Sequence, residues 1–452
     1  MARTPRAPQV HKFGGASLAD AGAVRHAVQV VQGRPHGPAV VVVSAMAGVT
    51  DRLLELARRA ARGEPADAGA LAALRRQHLD AIRGVTTRAA TRRALTASLD
   101  ASLAELRALL DGLRVVRELT PRTSDHVVAR GERLSAMVLA GALADAGRTV
   151  RLVDALELVL TDGTFGNAAP DFAGTDRRVR ATLGPLLRRG VLPVVPGFLG
   201  ASPRGELVTL GRGGSDLTAT LLARALGAES VSLWKDVPGF LTADPRVVAD
   251  ARVIPQLHAR EAAELAYYGA KVLHPRALIP LKRRRIPVYV RPFAEPAVQG
   301  TEVSERRSRT RSPVRAISGV TGQALVTVTG NGMIGVPGIA ARTFEAMQRA
   351  GLSVTFITQS SSEHSLTFGV PESDAVQAST ALMAEFREEI ARQDVDGVEV
   401  RRGMATVAVV GLGMAGSRGV AARVFGALAH AGINIVAIAQ GSSELNISFV
   451  IE

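Results

Sequence analysis

The 452-residue chain contains no cysteine, which excludes a disulfide framework, a thiolate nucleophile and a cysteine metal site. Aromatic residues make up 4%, with a single tryptophan, Trp234. No long apolar run is present: the most apolar stretch, residues 39–49, is too short to span a bilayer. The short basic start, residues 1–9, has no apolar signal region behind it. With 47% hydrophobic residues, the expectation is a soluble, cytoplasmic, globular chain of about two or three domains. The net charge of +14 raises the question of nucleic acid. Against it, the arginines are scattered through helix-like stretches and lack the aromatics of a stacking platform. Neither nucleic acid nor a membrane is expected as partner, though a positive field favours anionic substrates.

Lysine is scarce too. Of 55 basic residues, four are lysines: Lys12, Lys235, Lys271 and Lys282. Where arginine serves so freely, a lysine marks a need for a narrow ammonium on a flexible stem. Lys282 sits in a basic run and reads as chance, while the other three fall in Gly- or Asp-rich stretches. The first is Lys12-Phe13-Gly14-Gly15-Ala16-Ser17. A short strand delivers a lysine, two glycines let backbone approach a ligand, and Ser17 is expected to cap a helix running to about residue 31. Amides at a helix start beside an ammonium suit phosphate, although a Gly-Gly turn after a strand is also simply a turn.

Residues 39–43 read as a buried parallel strand, ending in a small-residue loop from Ser44 to Thr50 and a helix from Asp51. Such carboxyl-end loops carry the ligand in doubly wound sheets. Residues 66–116 look like a helical excursion without chemistry. In the helix expected over 125–147, Glu132 follows Gly131, where the helix can approach something closely; alone, Glu132 reads more readily as a surface carboxylate. The richest stretch is Thr209-Leu210-Gly211-Arg212-Gly213-Gly214-Ser215-Asp216, at a strand-to-helix junction. There arginine can grip a carboxylate with two bonds, and Asp216 can hold Mg²⁺ or orient a lysine. It is not a Walker loop, lacking the lysine-Ser/Thr pair at the required offset. Lys235 and Asp236 open a structured Pro-Gly and Asp-Pro loop through Leu241 to Arg246, whose charges suit a nucleotide. His274, beside Pro275, reads as structural rather than as an acid/base.

The last third contains itself twice at an offset of 81 residues, and half the positions of 338–363 are identical to those of 419–444. Each unit reads strand, Gly-rich loop, helix, strand, Gln/Ser loop, strand. The loops at 335–338 and 416–419 can take a carboxylate, and Gln359 and Gln440 can hydrogen-bond an amino acid; a purely structural duplication is the other reading.

These stretches, together with Asp236-Val237-Pro238-Gly239 and Gly269-Ala270-Lys271-Val272-Leu273-His274-Pro275, resemble the signatures of the aspartate kinases in that family's order. The resemblance covers nearly the whole chain and looks closest to the kinase portion of bifunctional aspartate kinase–homoserine dehydrogenases. It implies an α/β amino acid kinase fold, a mostly parallel sheet with helices on both faces, over residues 8–299. A linker at 300–316 and paired α+β ACT domains at 317–398 and 399–452 would follow, the second stopping short at Glu452. The implied reaction is Mg-ATP-dependent phosphorylation of L-aspartate to 4-phospho-L-aspartate, opening the route to lysine, threonine and methionine.

By resemblance, Lys12 stabilises the phosphoryl oxygens and Asp216 organises lysine or Mg²⁺. Gly14, Gly15, Lys235, Asp236, Leu241, Arg246 and Lys271 belong to the ATP side. Ser44, Thr50, Glu132, Phe198, Arg212 and Ser215 surround aspartate, with Arg212 on its α-carboxylate and Glu132 on its ammonium. No separate protein metal site is implied. Gln359 and Gln440 would bind an effector, threonine or lysine, and the ACT pair would make a homodimer or higher oligomer. Three positions depart from the family: Ala16 replaces Thr or Ser, Lys235 stands where Thr is usual, and Leu241 where Tyr is common. A catalytically weak amino-acid sensor, or a kinase of another acidic amino acid, are the competing readings.

Overall fold

The computed structural model describes residues 6–33, 37–65, 67–270, 272–306, 312–360, 364–441 and 443–452. The chain divides into two compact units. The first comprises residues 1–240, 253–263 and 271–308; the second comprises 241–252, 264–270 and 309–452.

In the first unit the strands are β1 (Gln9–Phe13), β2 (Ala39–Val43), β3 (Val150–Leu152), β4 (Leu192–Pro196), β5 (Leu199–Ala201), β6 (Leu207–Thr209), β7 (Ser230–Lys235), β8 (Gln256–His258), β9 (Val288–Pro292) and β10 (Thr301–Ser304). The helices between them are α1 (Ala21–Gln32), α2 (Val49–Ala61), α3 (Ala68–Val85), α4 (Ala89–Val116), α5 (Pro121–Asp145), α6 (Phe172–Arg188) and α7 (Gly214–Leu226); α8 (Ala259–Tyr267) follows β8. Eight strands form one sheet in the order β3-β4-β2-β1-β7-β9-β10-β8, with β5 and β6 a separate hairpin. All its pairings are parallel except β9 with β10. A strand buried on both faces needs a continuous apolar run, and Val40 to Val43 are fully buried. The core joins β1, β2 and β4 to α1–α5 through Phe13, Val43, Leu53, Ile82, Leu106 and Leu139.

Several boundaries differ from the sequence expectation. Asp20, not Ser17, caps α1, accepting a hydrogen bond from the Ala23 amide at 2.9 Å. Ser17 is buried in a 3₁₀ turn and donates to the Trp234 carbonyl at 3.3 Å, so its hydroxyl is spent on a neighbouring strand. Helix α2 starts at Val49 rather than Asp51, because Gly48 takes the left-handed conformation (φ 73°) that turns the chain into it. Helix α5 starts four residues early, capped by Thr120 with Pro121 in its first turn. Residues 300–316, expected as a linker, contain β10, a strand of the first sheet. No helix among the described residues is long and apolar enough to cross a membrane.

The second unit is a six-stranded antiparallel sheet of β11 (Ala316–Thr329), β12 (Phe356–Gln359), β13 (Ser365–Pro371), β14 (Gly397–Val410), β15 (Ala437–Ala439) and β16 (Asn446–Ile451), ordered β12-β13-β11-β14-β16-β15. It carries α9 (Ile339–Arg349), α10 (Ala375–Glu385), α11 (Arg387–Ala391) and α12 (Val420–His430). The repeat is visible in its packing. Phe344 meets Phe368 edge-on at 5.9 Å, and the residues 81 positions later, Phe425 and Phe449, meet edge-on at 6.1 Å. Strand β14 runs through position 398/399, the expected border between the repeats, and pairs along β11 on both sides of it.

Candidate active site

Parallel strands that end at one edge of a sheet gather their following loops there. In the first unit the carboxyl ends of β1, β2, β4 and β7 do this. One cleft is lined by Lys12, Ser44, Thr50, Glu132, Phe198, residues 211–216 and Lys235. It thus brings together all six residues expected around the substrate, both expected catalytic residues and Lys235.

Two glycines explain how the elements come close enough. A methyl group at Gly131 would lie 2.9 Å from the Ala45 side chain, so its absence lets α5 press on the loop after β2 and place Glu132. At Gly213 the backbone is left-handed (φ 73°) and a methyl would lie 2.3 Å from the His274 side chain. Phe198 takes a positive φ of 70°, costly for a side chain of its size. It is held there by its amide donating to Thr218 Oγ1 at 3.1 Å and its carbonyl accepting from the Leu210 amide at 2.8 Å.

The floor of the cleft is a buried charge cluster. Lys12 Nζ lies 2.7 Å from Asp216 Oδ1, and Lys235 Nζ lies 2.8 Å from Asp216 Oδ2. Burial works against the Asp216 charge, but the two ammoniums outweigh it and hold its carboxyl well below the usual carboxylate range. Burial lowers the Lys12 ammonium below its ordinary value, and the Lys235 charge adds to that against the pull of Asp216. Glu132 is the opposite case. One oxygen accepts from the Ala45 amide at 3.3 Å and the other has no partner among the described residues. Burial pushes its carboxyl up to about 8.

The other expected residues are placed differently. Gly14 and Gly15 form the turn after β1: a methyl on Gly14 would stand 3.7 Å from Lys12 Nζ, and one on Gly15 3.0 Å from the Ala45 carbonyl. Asp236 is exposed beside Lys235. Leu241 and Arg246 belong to the second unit, where Arg246 grips Asp244 of its own loop with bonds of 3.0 and 2.6 Å. Lys271 lies outside the described residues. His274 caps a local turn, its Nδ1 accepting from the Arg276 amide at 3.3 Å, as a structural histidine does.

Three positioning residues carried no signal in the sequence. Gln77 on α3, in the stretch read as having no chemistry, donates to the carbonyls of Ala19 and Ala47 at 3.4 and 3.1 Å, tying together the turns after β1 and β2. Buried Asp125 accepts from Gly166, from the Thr209 amide and from Thr209 Oγ1 at 2.8, 3.0 and 2.6 Å, anchoring β6. Arg276 donates to the carbonyls of Leu210 and Ala168 at 2.8 and 3.1 Å, just before the Gly-rich turn. Each acts on backbone groups far away in sequence, which no local pattern encodes.

The expected magnesium ion needs oxygen ligands. Both Asp216 oxygens are taken by lysines, and no group of three acidic or histidine side chains that could hold a metal occurs among the described residues.

In the second unit a cavity is lined by Met333, residues 335–340, Gln359 and Leu366, so the expected effector residue Gln359 faces a real pocket. Gln440 stands at the equivalent place after β15, on the surface. There the Gly416 amide, expected to meet a ligand's carboxylate, donates instead to Glu444 Oε2 at 2.7 Å.

Comparison with known proteins gives concordant results. Residues 8–292 match the amino acid kinase family, and residues 326–386 and 407–452 match an ACT domain. The chain is similar to the bifunctional aspartokinase/homoserine dehydrogenase of Haemophilus influenzae, 36% identical over 98% of this chain and 54% of that one. It thus spans about half the length of that relative. It is also similar to the lysine-sensitive aspartokinase 3 of Escherichia coli, 34% identical over 98% of this chain and 95% of that one. The crystal structure of E. coli aspartokinase III in complex with aspartate and ADP superposes with a TM-score of 0.83 at 32% identity, covering 98% and 96% of the two chains.

Proposed function

The chain belongs to the amino acid kinase family, among its aspartokinases, and on that premise we propose that the first unit transfers the γ-phosphoryl group of ATP to the β-carboxylate of L-aspartate. The observation that carries this reading is the Lys12–Asp216–Lys235 cluster on the floor of a cleft that also holds Glu132 and Arg212. A β-carboxylate oxygen attacks the γ-phosphorus. The new O–P bond forms as the bond from that phosphorus to the bridging oxygen breaks, and ADP leaves with the electron pair. The acceptor is already ionised, so no general base is needed, and catalysis rests on positioning and charge.

Arg212 takes the α-carboxylate with two bonds and Glu132 takes the ammonium. Ser44, Thr50 and Ser215 supply hydroxyls, and Phe198 forms a wall. Lys12 meets the phosphoryl oxygens, the Gly14 and Gly15 amides approach the phosphates, and Asp236 and Lys271 serve the nucleotide. Magnesium, carried in with ATP, supplies positive charge to its phosphates. Support comes from the E. coli relative, whose structure holds aspartate and ADP.

The product opens the route to lysine, threonine and methionine. The second unit binds an amino-acid effector, threonine or lysine, beside Gln359 and joins two copies of the chain. The experiment is hydroxylamine trapping of the acyl phosphate with Mg-ATP and aspartate, with glutamate in parallel and with each effector added. Product from aspartate and not glutamate supports the reading; none from a folded, ATP-binding chain supports the sensor instead.

A further inference from the structure

Lys235 stands at the end of β7, the strand beside β1. In the parallel register Lys12 is opposite Leu233 and Phe13 opposite Trp234. Side chains alternate along a strand, so Lys235, two residues beyond Leu233, projects from the same sheet face as Lys12. Asp216, in the first turn of α7, reaches both: each of its oxygens faces one ammonium. A lysine ammonium has three donors, so both keep donors after the carboxylate is satisfied. The Lys235 side chain is also the more open of the two, 17% exposed against 6% for Lys12.

Among the described residues the charge count does not close. One ammonium would neutralise Asp216; two leave an excess positive charge in a site that is nearly all buried. Glu132, the other buried acid of the cleft, accepts from the Ala45 amide instead. An uncompensated buried charge is costly. Such a cluster is best satisfied by an arriving anion that both ammoniums can touch, and a phosphoryl group offers three oxygens to a pair of lysines.

We propose that Lys235 is a further ammonium for the transferred phosphoryl group, held on the same sheet face as Lys12 by the carboxylate they share. The inference rests on the phosphotransfer reading and deepens it: Lys235 faces the group that moves, not the nucleotide at large.

The test uses Lys235→Met, Lys235→Arg, Asp216→Asn and the double variant Asp216→Asn/Lys235→Met in the full chain. Trp234, the neighbour of Lys235 and the one tryptophan present, reports folding and nucleotide binding by its emission. The first readout needs no acceptor: the preference for a non-hydrolysable ATP analogue over ADP. Lys235→Met should cut that preference about tenfold, as loss of one charge-assisted contact to the γ-phosphoryl group does. An unchanged preference in a folded variant overturns the proposal, whatever the acceptor proves to be.

The second readout is turnover with aspartate. Lys235→Met should lower kcat about 100-fold, the usual scale for one lost transition-state donor, with KM for aspartate little changed. Lys235→Arg should recover part of it. On the Asp216→Asn background the same Lys235→Met change should cost far less, because groups acting as a unit are not additive. An equal factor on both backgrounds overturns the shared-carboxylate role. Wild type run alongside separates the two failures. If it forms no acyl phosphate, the kinase reading falls; if it is active and the variants match it, only this inference falls.

Discussion

The cleft of the first unit and the cavity of the second are both built around glycine-rich turns that open a helix, yet they are made of different matter. The cleft is walled by charged side chains, with Lys12, Glu132 and Asp216 each about 95% buried. The cavity is walled by small and apolar residues, with Gln359 as its polar side chain apart from backbone. Buried charge must be compensated, so the cleft is a balance that a bound anion shifts. A neutral amide-lined pocket holds a ligand by hydrogen bonds worth about 1 kcal/mol each and hardly responds to pH. The same strand–turn–helix device therefore serves chemistry where charges are buried and recognition where they are not.

The strongest way to break this contrast is to remove the charge. Lys12→Ala should lower acyl-phosphate formation about 1,000-fold or more, since it takes away a buried cation and leaves Asp216 short of one partner. Measurable turnover within tenfold of wild type would mean that the cleft does not work through its ammoniums. Next in size is Glu132→Gln. It keeps the shape and the Ala45 contact but removes the anion, so KM for aspartate should rise about 30-fold while kcat moves less. Initial rates against aspartate concentration decide it.

How much of this was legible beforehand follows the same divide. The cleft could be read because its chemistry needs rare residue types at fixed places: one lysine after a strand, three glycines and an aspartate at a helix start. Lys235, conspicuous as one of four lysines, proved to share Asp216 with Lys12. What could not be read were contacts between distant segments and backbone groups, such as Gln77 on Ala19 and Ala47, or Asp125 on Thr209. Helix starts slipped for a related reason. Ser17 and Asp20 are both able to cap, and tertiary contact with Trp234 decided between them. The alternating strands and the 81-residue repeat announced the two sheets, but not that β10 would join the first or that the 241–252 loop would belong with the second unit, where the Thr242 carbonyl accepts from the Ile317 amide at 2.9 Å.

The pH response sharpens the contrast between the sites. Burial pushes the Glu132 carboxyl up to about 8 from an ordinary value of 4.5. Between those values the folded chain binds a proton at Glu132 that the unfolded chain does not. Stability from this group is complete below pH 4.5 and is lost as pH rises through about 8. Substrate binding runs the other way, because only the ionised form attracts an ammonium. Aspartate affinity should therefore rise several-fold from pH 6.5 to 8.5, and Glu132→Gln should flatten both the affinity profile and the decline of the unfolding midpoint over that range. Asp216 contributes nothing here, its carboxyl being held below the ordinary carboxylate range. A wild-type affinity profile flat across these pH values would remove Glu132 as the ammonium's partner.

The smallest expected effects lie in the second unit and separate its two repeats. Gln359 lines the cavity together with residues 335–340, while Gln440, at the same place in the second repeat, is exposed after β15. A single neutral hydrogen bond is worth about 1 kcal/mol, or roughly fivefold in affinity. Gln359→Ala should thus raise the half-inhibiting concentration of the effector about fivefold, and Gln440→Ala less than twofold. Dose–response curves for threonine and lysine on both variants measure it. Equal shifts would mean that the repeats act as a matched pair. A shift confined to Gln440→Ala would move the effector to the second repeat, and the Glu444 carboxylate on Gly416 would then be a contact the effector has to displace.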